Sequence, residues 1–166
     1  MNAQVPIRTK QTDQAADLES NLDLNTFLPY RLNLLAHLVS RGIATIYEDR
    51  HGLTAAQWRV MAAVAEQPGI TAQEVVEMTP MDKVTVSRAV AVLCEMELVQ
   101  RQASRTDGRL ALLSLTIDGG RIYQQIFPKA LDYSDLLQRG LNRDERELYL
   151  KLTARLIDSA RAIAGQ

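Results

Sequence analysis

Two short stretches of the chain carry side chains suited to hydrogen bonding with a polyanion. The first stretch contains an ammonium, two hydroxyl groups and a guanidinium, on Lys83, Thr85, Ser87 and Arg88. The second stretch contains two guanidinium groups on either side of a carboxylate, on Arg105, Asp107 and Arg109. Arginine can donate two parallel hydrogen bonds to guanine, threonine can contact a base edge, and lysine pairs with phosphate. These stretches indicate binding to duplex nucleic acid.

The first stretch lies on a predicted helix that begins after the N-cap residue Asp82 and ends near Met96. Apolar residues at helical spacing mark its buried face: Val86, Ala89, Val90 and Leu93. The remaining residues form its outer face, namely Lys83, Thr85, Ser87, Arg88 and Ala91. A solvated helix face without a partner is the alternative interpretation.

The second stretch lies at the tip of a predicted two-stranded hairpin between Leu98 and Leu115. A turn signal at residues 106–108 separates the two arms, and the second arm has alternating apolar residues. Asp107 can hold one arginine while another enters a minor groove, whose negative potential attracts guanidinium groups. The alternative is a charged turn that only maintains solubility.

Helix-start signals divide the rest of the chain. The predicted helices span about 29–50, from Thr54 to before Pro68, from Thr71 to about Met78, from Thr116 with a kink at Pro128, and from Asn142 onward. Three short helices followed by a hairpin form a winged helix-turn-helix, whose third helix enters the major groove. The predicted fold class is therefore mainly α with a small β-hairpin wing.

Composition excludes several other classes of protein. The 166 residues are 46% hydrophobic with a formal net charge of −1, which argues for one compact unit and against a wholly basic binder. No apolar stretch is long enough for a membrane span or a signal peptide, so we expect a cytoplasmic protein. There is no phosphate loop, nucleophile elbow or metal-spaced cluster, so we expect no enzyme, no cofactor and no metal.

The chain resembles regulators of the multiple-antibiotic-resistance (MarR) type over roughly residues 30–160. The matching positions are Leu53-Thr54 with Trp58, Val84-Thr85-Val86-Ser87-Arg88, Leu98-Val99-Gln100-Arg101, Asp107-Gly108-Arg109, and Leu113-Ser114-Leu115-Thr116 with Gly119. Their order and spacing carry the resemblance. The family often has glycine where this chain has Glu97, so we expect the preceding helix to be capped differently.

The resemblance implies a homodimer with intertwined first and last helices that binds a palindromic operator. In this scheme residues 1–21 form a flexible arm and residues 22–166 one domain. The DNA-binding lobe spans about 53–116, and the dimerisation helices span about 22–50 and 117–164. The resemblance also places Thr85, Ser87, Arg88, Asp107 and Arg109 at DNA.

Members of this family often release DNA when a small aromatic or phenolic acid binds, and others respond to cysteine oxidation. A binding site for such an acid, or for its acyl thioester, would need aromatic rings and cationic side chains. The candidate residues are Tyr30, His37, Arg41, Trp58 and Tyr123. In the alternative, Trp58 is core, the tyrosines line a dimer seam, and His37 and Arg41 are solvated. Cys94 suits a small buried site, and nothing nearby marks it as reactive.

The predicted function is a DNA-binding regulator of transcription, released from its operator by such a small acid. Two alternatives remain: a winged-helix module for protein interaction, and a regulator without an effector. A steep dependence of duplex affinity on salt would favour the first prediction over the interaction module.

Overall fold

The computed structural model describes residues 22–104 and 108–165. Within these residues the chain forms six helices and three strands, in the order α1 (Leu28–His51), α2 (Ala55–Glu66), β1 (Ile70–Thr71), α3 (Ala72–Met78), α4 (Lys83–Glu95), β2 (Val99–Ala103), β3 (Ala111–Leu115), α5 (Ile117–Leu137) and α6 (Arg143–Ala164). This arrangement confirms a mainly helical fold with a small antiparallel sheet. The predicted arm, residues 1–21, lies outside the described residues.

Local sequence signals explain where the helices begin. Thr54, Thr71 and Asn142 each form a capping box, in which the side chain accepts a hydrogen bond from the N3 amide and the N3 side chain accepts one from the cap amide. Asp82 and Thr116 cap α4 and α5 through their side chains. The predicted helix starts at all five residues are confirmed.

The sheet has one more strand than the hairpin that the sequence predicts. Its order is β1-β3-β2, so β3 is central and both of its neighbours are antiparallel to it. The added strand β1 is two residues long, with Ile70 opposite Leu113 and Thr71 opposite Leu112. The hairpin prediction therefore holds for β2 and β3 but is incomplete.

The chain divides into two compact units whose boundary lies between Val39 and Ser40, within α1. In the first unit, the described leucines of α1 are exposed, including Leu35 and Leu38. The second unit contains the buried core, to which α2, α4 and the sheet contribute most, with Tyr47 from α1 and Ile126 from α5. Trp58, Met61 and Val64 form the predicted inward stripe of α2, and Ala65 at its margin is only half-buried.

Candidate nucleic-acid interface

Helix α4 has a buried apolar face and, opposite it, an outer face with exposed polar side chains. The four residues predicted to point inward are all buried: Val86, Ala89, Val90 and Leu93. Lys83, Ser87 and Arg88 are exposed and Thr85 is half-buried. A shallow pocket of about 260 Å³ lies beside Thr85 and Arg88, where α4 faces the start of α2 at Thr54. The outer face thus carries hydrogen-bond donors of the kind that contact base edges in a DNA groove.

Asp82 fixes the first turn of α4 beside this face. The Thr85 backbone N–H donates to Asp82 Oδ1 at 2.7 Å. This hydrogen bond, with further ones from the Thr85 side chain and the Val84 backbone and the nearby positive charge of Arg88, holds the pKa of the Asp82 carboxyl below its ordinary value. The carboxylate therefore stays ionised at neutral pH and complements the positive end of the helix dipole.

The β2–β3 hairpin, here called the wing, supplies two of the three strands of the sheet, and β2 contacts α4. Its register runs from the Val99–Leu115 pair at the base to the Ala103–Ala111 pair near the tip. Gln100 Nε2 donates to Ser114 Oγ at 3.1 Å across the strands. Arg109 and Gly108 are exposed at the tip. The other two predicted tip residues, Arg105 and Asp107, lie outside the described residues.

The end of α4 is where the structure corrects an expectation. Glu97 follows the helix with φ of 58°, the left-handed conformation that normally favours glycine. The Glu97 N–H donates to the Cys94 carbonyl and the Leu98 N–H donates to the Leu93 carbonyl. This pattern is a Schellman motif, so the helix is capped as glycine would cap it. The expectation of a different cap is wrong.

The turn after α4 is joined to the start of α5. The Thr116 hydroxyl donates to the Glu97 carbonyl at 2.6 Å, and the Thr116 N–H donates to the Leu98 carbonyl at 3.1 Å. Gly119 lies so close that a Cβ atom there would overlap the Leu98 carbonyl oxygen. We call these four residues the helix joint: Glu97, Leu98, Thr116 and Gly119. Gly119 is part of the sequence motif that ends the wing, but its contact with Leu98 has no signal in the sequence.

Of the residues predicted to bind an effector, the structure brings Trp58 and Tyr123 together. Their ring centroids are 5.6 Å apart, and the stack continues from Trp58 to Tyr47 and from Tyr123 to Phe127. Burial raises the pKa of the Tyr47 and Tyr123 hydroxyls, so both stay protonated at neutral pH. We call these four rings the aromatic stack. The helical i, i+4 spacing of Tyr123 and Phe127 could have indicated the last pair.

The other three candidate effector residues are solvent-accessible. Arg41 is exposed, and so are Tyr30 and His37, which belong to the unit that ends at Val39. The partly buried Cys94 lines an open groove of about 780 Å³ between the end of α4, the wing and the start of α5. Among the described residues, no three His, Cys, Asp or Glu side chains come together as metal ligands. No described helix is long and apolar enough to span a membrane.

Comparison with known proteins agrees with this geometry. Residues 51–110 match the sequence profile of the MarR family. The transcriptional repressor NicR of Pseudomonas putida is 30% identical over 107 residues, which cover 64% of this chain and 68% of NicR. The transcriptional regulator HosA of Escherichia coli O157:H7 is 27% identical over 125 residues, which cover 75% of this chain and 93% of HosA.

A solved structure gives the same result for the fold. The structure of BpsR from Bordetella bronchiseptica, whose DNA binding is regulated by 6-hydroxynicotinic acid, superposes with a TM-score of 0.74 at 25% identity. The match covers 82% of this chain and 97% of BpsR. All three similar proteins regulate gene expression or bind DNA, in agreement with the prediction that the chain is not an enzyme. The chain belongs to the MarR family of transcriptional regulators.

Proposed function

We propose that the protein is a cytoplasmic repressor that binds a palindromic duplex operator as a homodimer. One observation carries the proposal: α4 buries Val86, Ala89, Val90 and Leu93 on one face and leaves Lys83, Ser87 and Arg88 exposed on the other, in a helix followed directly by the hairpin. Arg88 and Thr85 would contact base edges, and Lys83 and Ser87 would contact the backbone or a base. In the wing, Asp107 would hold one of Arg105 and Arg109 while the other enters the adjacent minor groove. The repressor NicR, a relative, supports the direction of regulation.

The exposed apolar residues support the homodimer. Helix α6 has no buried residue, yet it exposes leucines at heptad-like spacing, with Leu148 at 54%, Leu152 at 45% and Leu156 at 40%. Such a face is costly in water and stabilising when it packs against a second helix. In our proposal α6 and the exposed leucines of α1 pack against the partner subunit, which sets two copies of α4 about one DNA turn apart.

The operator proposal is tested by selecting binding sites from random duplexes and measuring variants on the selected sequence. We expect Arg88→Ala to weaken binding by about 10- to 100-fold and to relax base preference at one position of each half-site. We expect Arg109→Ala to reduce the slope of log affinity against log salt by about one. Arg139→Ala is the matched control, because Arg139 is an exposed arginine between α5 and α6, outside α4, the wing and the proposed dimer contacts.

Two results would contradict the operator proposal: a selection that enriches no sequence, and affinity that does not depend on salt. Identical selected sequences for wild type and Arg88→Ala would show that Arg88 does not contact a base. Salt-independent, weak binding would instead favour a module for protein interaction. A protein that remains monomeric at micromolar concentration would contradict the dimeric form.

We further propose that a small aromatic or phenolic acid, or its acyl thioester, releases the operator. The aromatic stack supports an aromatic ligand, since Phe127 at one end is 42% exposed and Tyr123 next to it is half-buried. In BpsR, DNA binding is regulated by an acid of this class. The ligand would contact Trp58 or Tyr123 of the aromatic stack, with the Arg41 guanidinium facing its carboxylate. The contacts predicted for Tyr30 and His37 stay predictions from the sequence.

The effector proposal is tested by competing a panel of aromatic acids and their thioesters against the bound operator. Trp58 is the one tryptophan of the chain and stacks on Tyr123, so its fluorescence reports a change in the aromatic stack when a ligand binds. We expect Arg41→Gln to weaken the response to the acids, while Arg139→Gln, an exposed control on the same chain, leaves it unchanged. A panel in which no compound shifts the fluorescence or the operator affinity would favour a regulator without an effector.

A further inference from the structure

Two parts of the proposed DNA-binding lobe, α4 and the wing, meet the start of α5 at the helix joint. The recognition helix α4 ends at Glu95, the wing begins at Val99, and α5 begins at Ile117. Only Met96, Glu97 and Leu98 connect α4 to the wing, and both Glu97 and Leu98 accept hydrogen bonds from Thr116. The turn that joins α4 to the wing is therefore hydrogen-bonded to a residue that belongs to neither element.

Thr116 has two roles that use opposite properties of one hydroxyl group. As the N-cap of α5, its Oγ1 accepts a hydrogen bond from the Gly119 N–H at 3.0 Å. As a donor, the same hydroxyl donates a hydrogen bond to the Glu97 carbonyl oxygen at 2.6 Å. Capping requires only an acceptor, which aspartate also supplies, whereas the bond to Glu97 requires a donor. The two roles can therefore be separated by substitution.

The joint also has little freedom to adjust. Glu97 holds a left-handed backbone conformation that costs a non-glycine residue free energy, so the turn persists because its surroundings hold it. On the other side, the Gly119 backbone lies against the Leu98 carbonyl without room for a Cβ atom. The bond from Thr116 to Glu97 lies between these two constraints. Its loss would release the turn that orients α4.

We propose that Thr116 is a positioning residue for DNA recognition, acting through the Glu97 carbonyl to fix α4 relative to the wing and α5. This inference rests on the proposed function of α4 and the wing. Without the bond, α4 and the wing would no longer present their donors in one fixed arrangement. Discrimination between operator and random duplex would fall more than general affinity for DNA, because base contacts need exact placement and phosphate contacts tolerate shifts.

The test compares three variants of the full-length protein. Thr116→Ser keeps the acceptor and the donor, and Thr116→Asp keeps the cap but removes the donor. Ile117→Asp is the matched control, because it adds the same charge to the same helix start at a side chain that is 78% exposed. The measurements are the ratio of operator affinity to random-duplex affinity and the exchange rates of the Glu97 and Leu98 amide hydrogens.

We expect Thr116→Asp to lower the affinity ratio by about fivefold and to speed exchange of both amides by about the same factor, the size of one lost hydrogen bond. Thr116→Ser and Ile117→Asp should keep the wild-type ratio and exchange rates. Equal ratios for the two aspartate variants would overturn the proposal, even if Thr116→Asp speeds exchange, because the bond would then be structural only. Failure of the wild-type protein to select any operator would instead contradict the proposed function.

Discussion

Helices α1 and α4 are each followed by a residue in the left-handed conformation, but the type of residue differs. At the end of α1 the residue is Gly52, with φ of 62°, and its N–H donates to the Glu48 carbonyl at 2.9 Å. At the end of α4 it is Glu97, with φ of 58°. Glycine adopts this conformation without steric cost, whereas glutamate pays about 1 to 2 kcal/mol.

The surroundings of the two turns explain the difference. The Thr116 hydroxyl and the close approach of Gly119 hold the α4 turn against α5. A Cβ atom at Gly52, by contrast, would meet no atom within 4 Å. Where tertiary contacts hold a turn, an unfavourable residue is tolerated; where they are sparse, the residue itself must favour the turn. Four predictions test this comparison.

The largest effect should come from crowding the α4 turn. Gly119→Ala places a Cβ atom against the Leu98 carbonyl oxygen and near the Leu98 Cα, neither of which is the end of a flexible side chain. We expect a loss of about 3 kcal/mol in the free energy of unfolding, measured by urea denaturation. The neighbouring Gly120→Ala meets nothing within 4 Å and should instead stabilise the helix slightly. Equal midpoints for the two variants would contradict the close contact.

A smaller loss is expected at the end of α1. Gly52→Ala keeps the space open but forces alanine into a left-handed conformation. The free energy of unfolding should fall by about 1 kcal/mol in the same urea experiment. Gly140→Ala, at another open glycine, is the control and should be neutral or stabilising. An unchanged Gly52→Ala midpoint would mean that the turn readily adopts another conformation.

The reverse substitution at α4 should raise stability. Glu97→Gly removes the cost of the left-handed glutamate but increases the entropy of the unfolded chain. We expect a net gain of about 0.5 kcal/mol in thermal or urea unfolding, with the Schellman hydrogen bonds retained. A loss of stability would show that the Glu97 side chain makes a favourable contact that outweighs its backbone cost.

The smallest effect concerns pH at the end of α1. Burial, together with the positive charges of Lys129 and Arg50, lowers the pKa of His51 below its ordinary value of 6.5, and its Nε2 atom is buried without a hydrogen-bond partner. The unfolded chain therefore takes up a proton at a higher pH than the folded chain. Stability should fall as the pH drops below about 6.5 and level off below the folded-state pKa.

This dependence is checked by urea midpoints measured from pH 8 to pH 5. His51→Gln has no imidazole to protonate, so its profile should be flatter than that of wild type over this range. The neutral-pH midpoint serves as the reference for each protein, which removes any constant effect of the substitution. Parallel profiles would show that other groups account for the pH dependence.

The features that the sequence predicts well depend on neighbours in the chain. The caps at Thr54, Thr71, Asp82 and Thr116 need only an acceptor and an amide three residues later. The buried face of α4 follows from its periodicity, since Val86, Ala89, Val90 and Leu93 recur at helical spacing. Both kinds of signal lie within a few residues of the feature that they predict.

The features that the sequence misses depend on distant partners. Strand β1 consists of Ile70 and Thr71, which become a strand only because Leu113 and Leu112 lie opposite them. Two residues show no alternation of their own, and Thr71 already has a local role as a cap. The conformation of Glu97 is likewise held by Thr116, 19 residues away in the chain. Such contacts have no local signature in the sequence, so the glycine-like cap at Glu97 could not be predicted from it.

The central position of β3 has a consequence for how this protein could change. Because β1 pairs with β3 at Leu112 and Leu113, next to the outermost Ala103–Ala111 pair, the sheet holds the hairpin up to the point where its tip begins. Of the residues described between Ala103 and Ala111, none is buried. Loops of other lengths and charges could be grafted there, so evolution or design can retune DNA preference without rebuilding the domain that carries it.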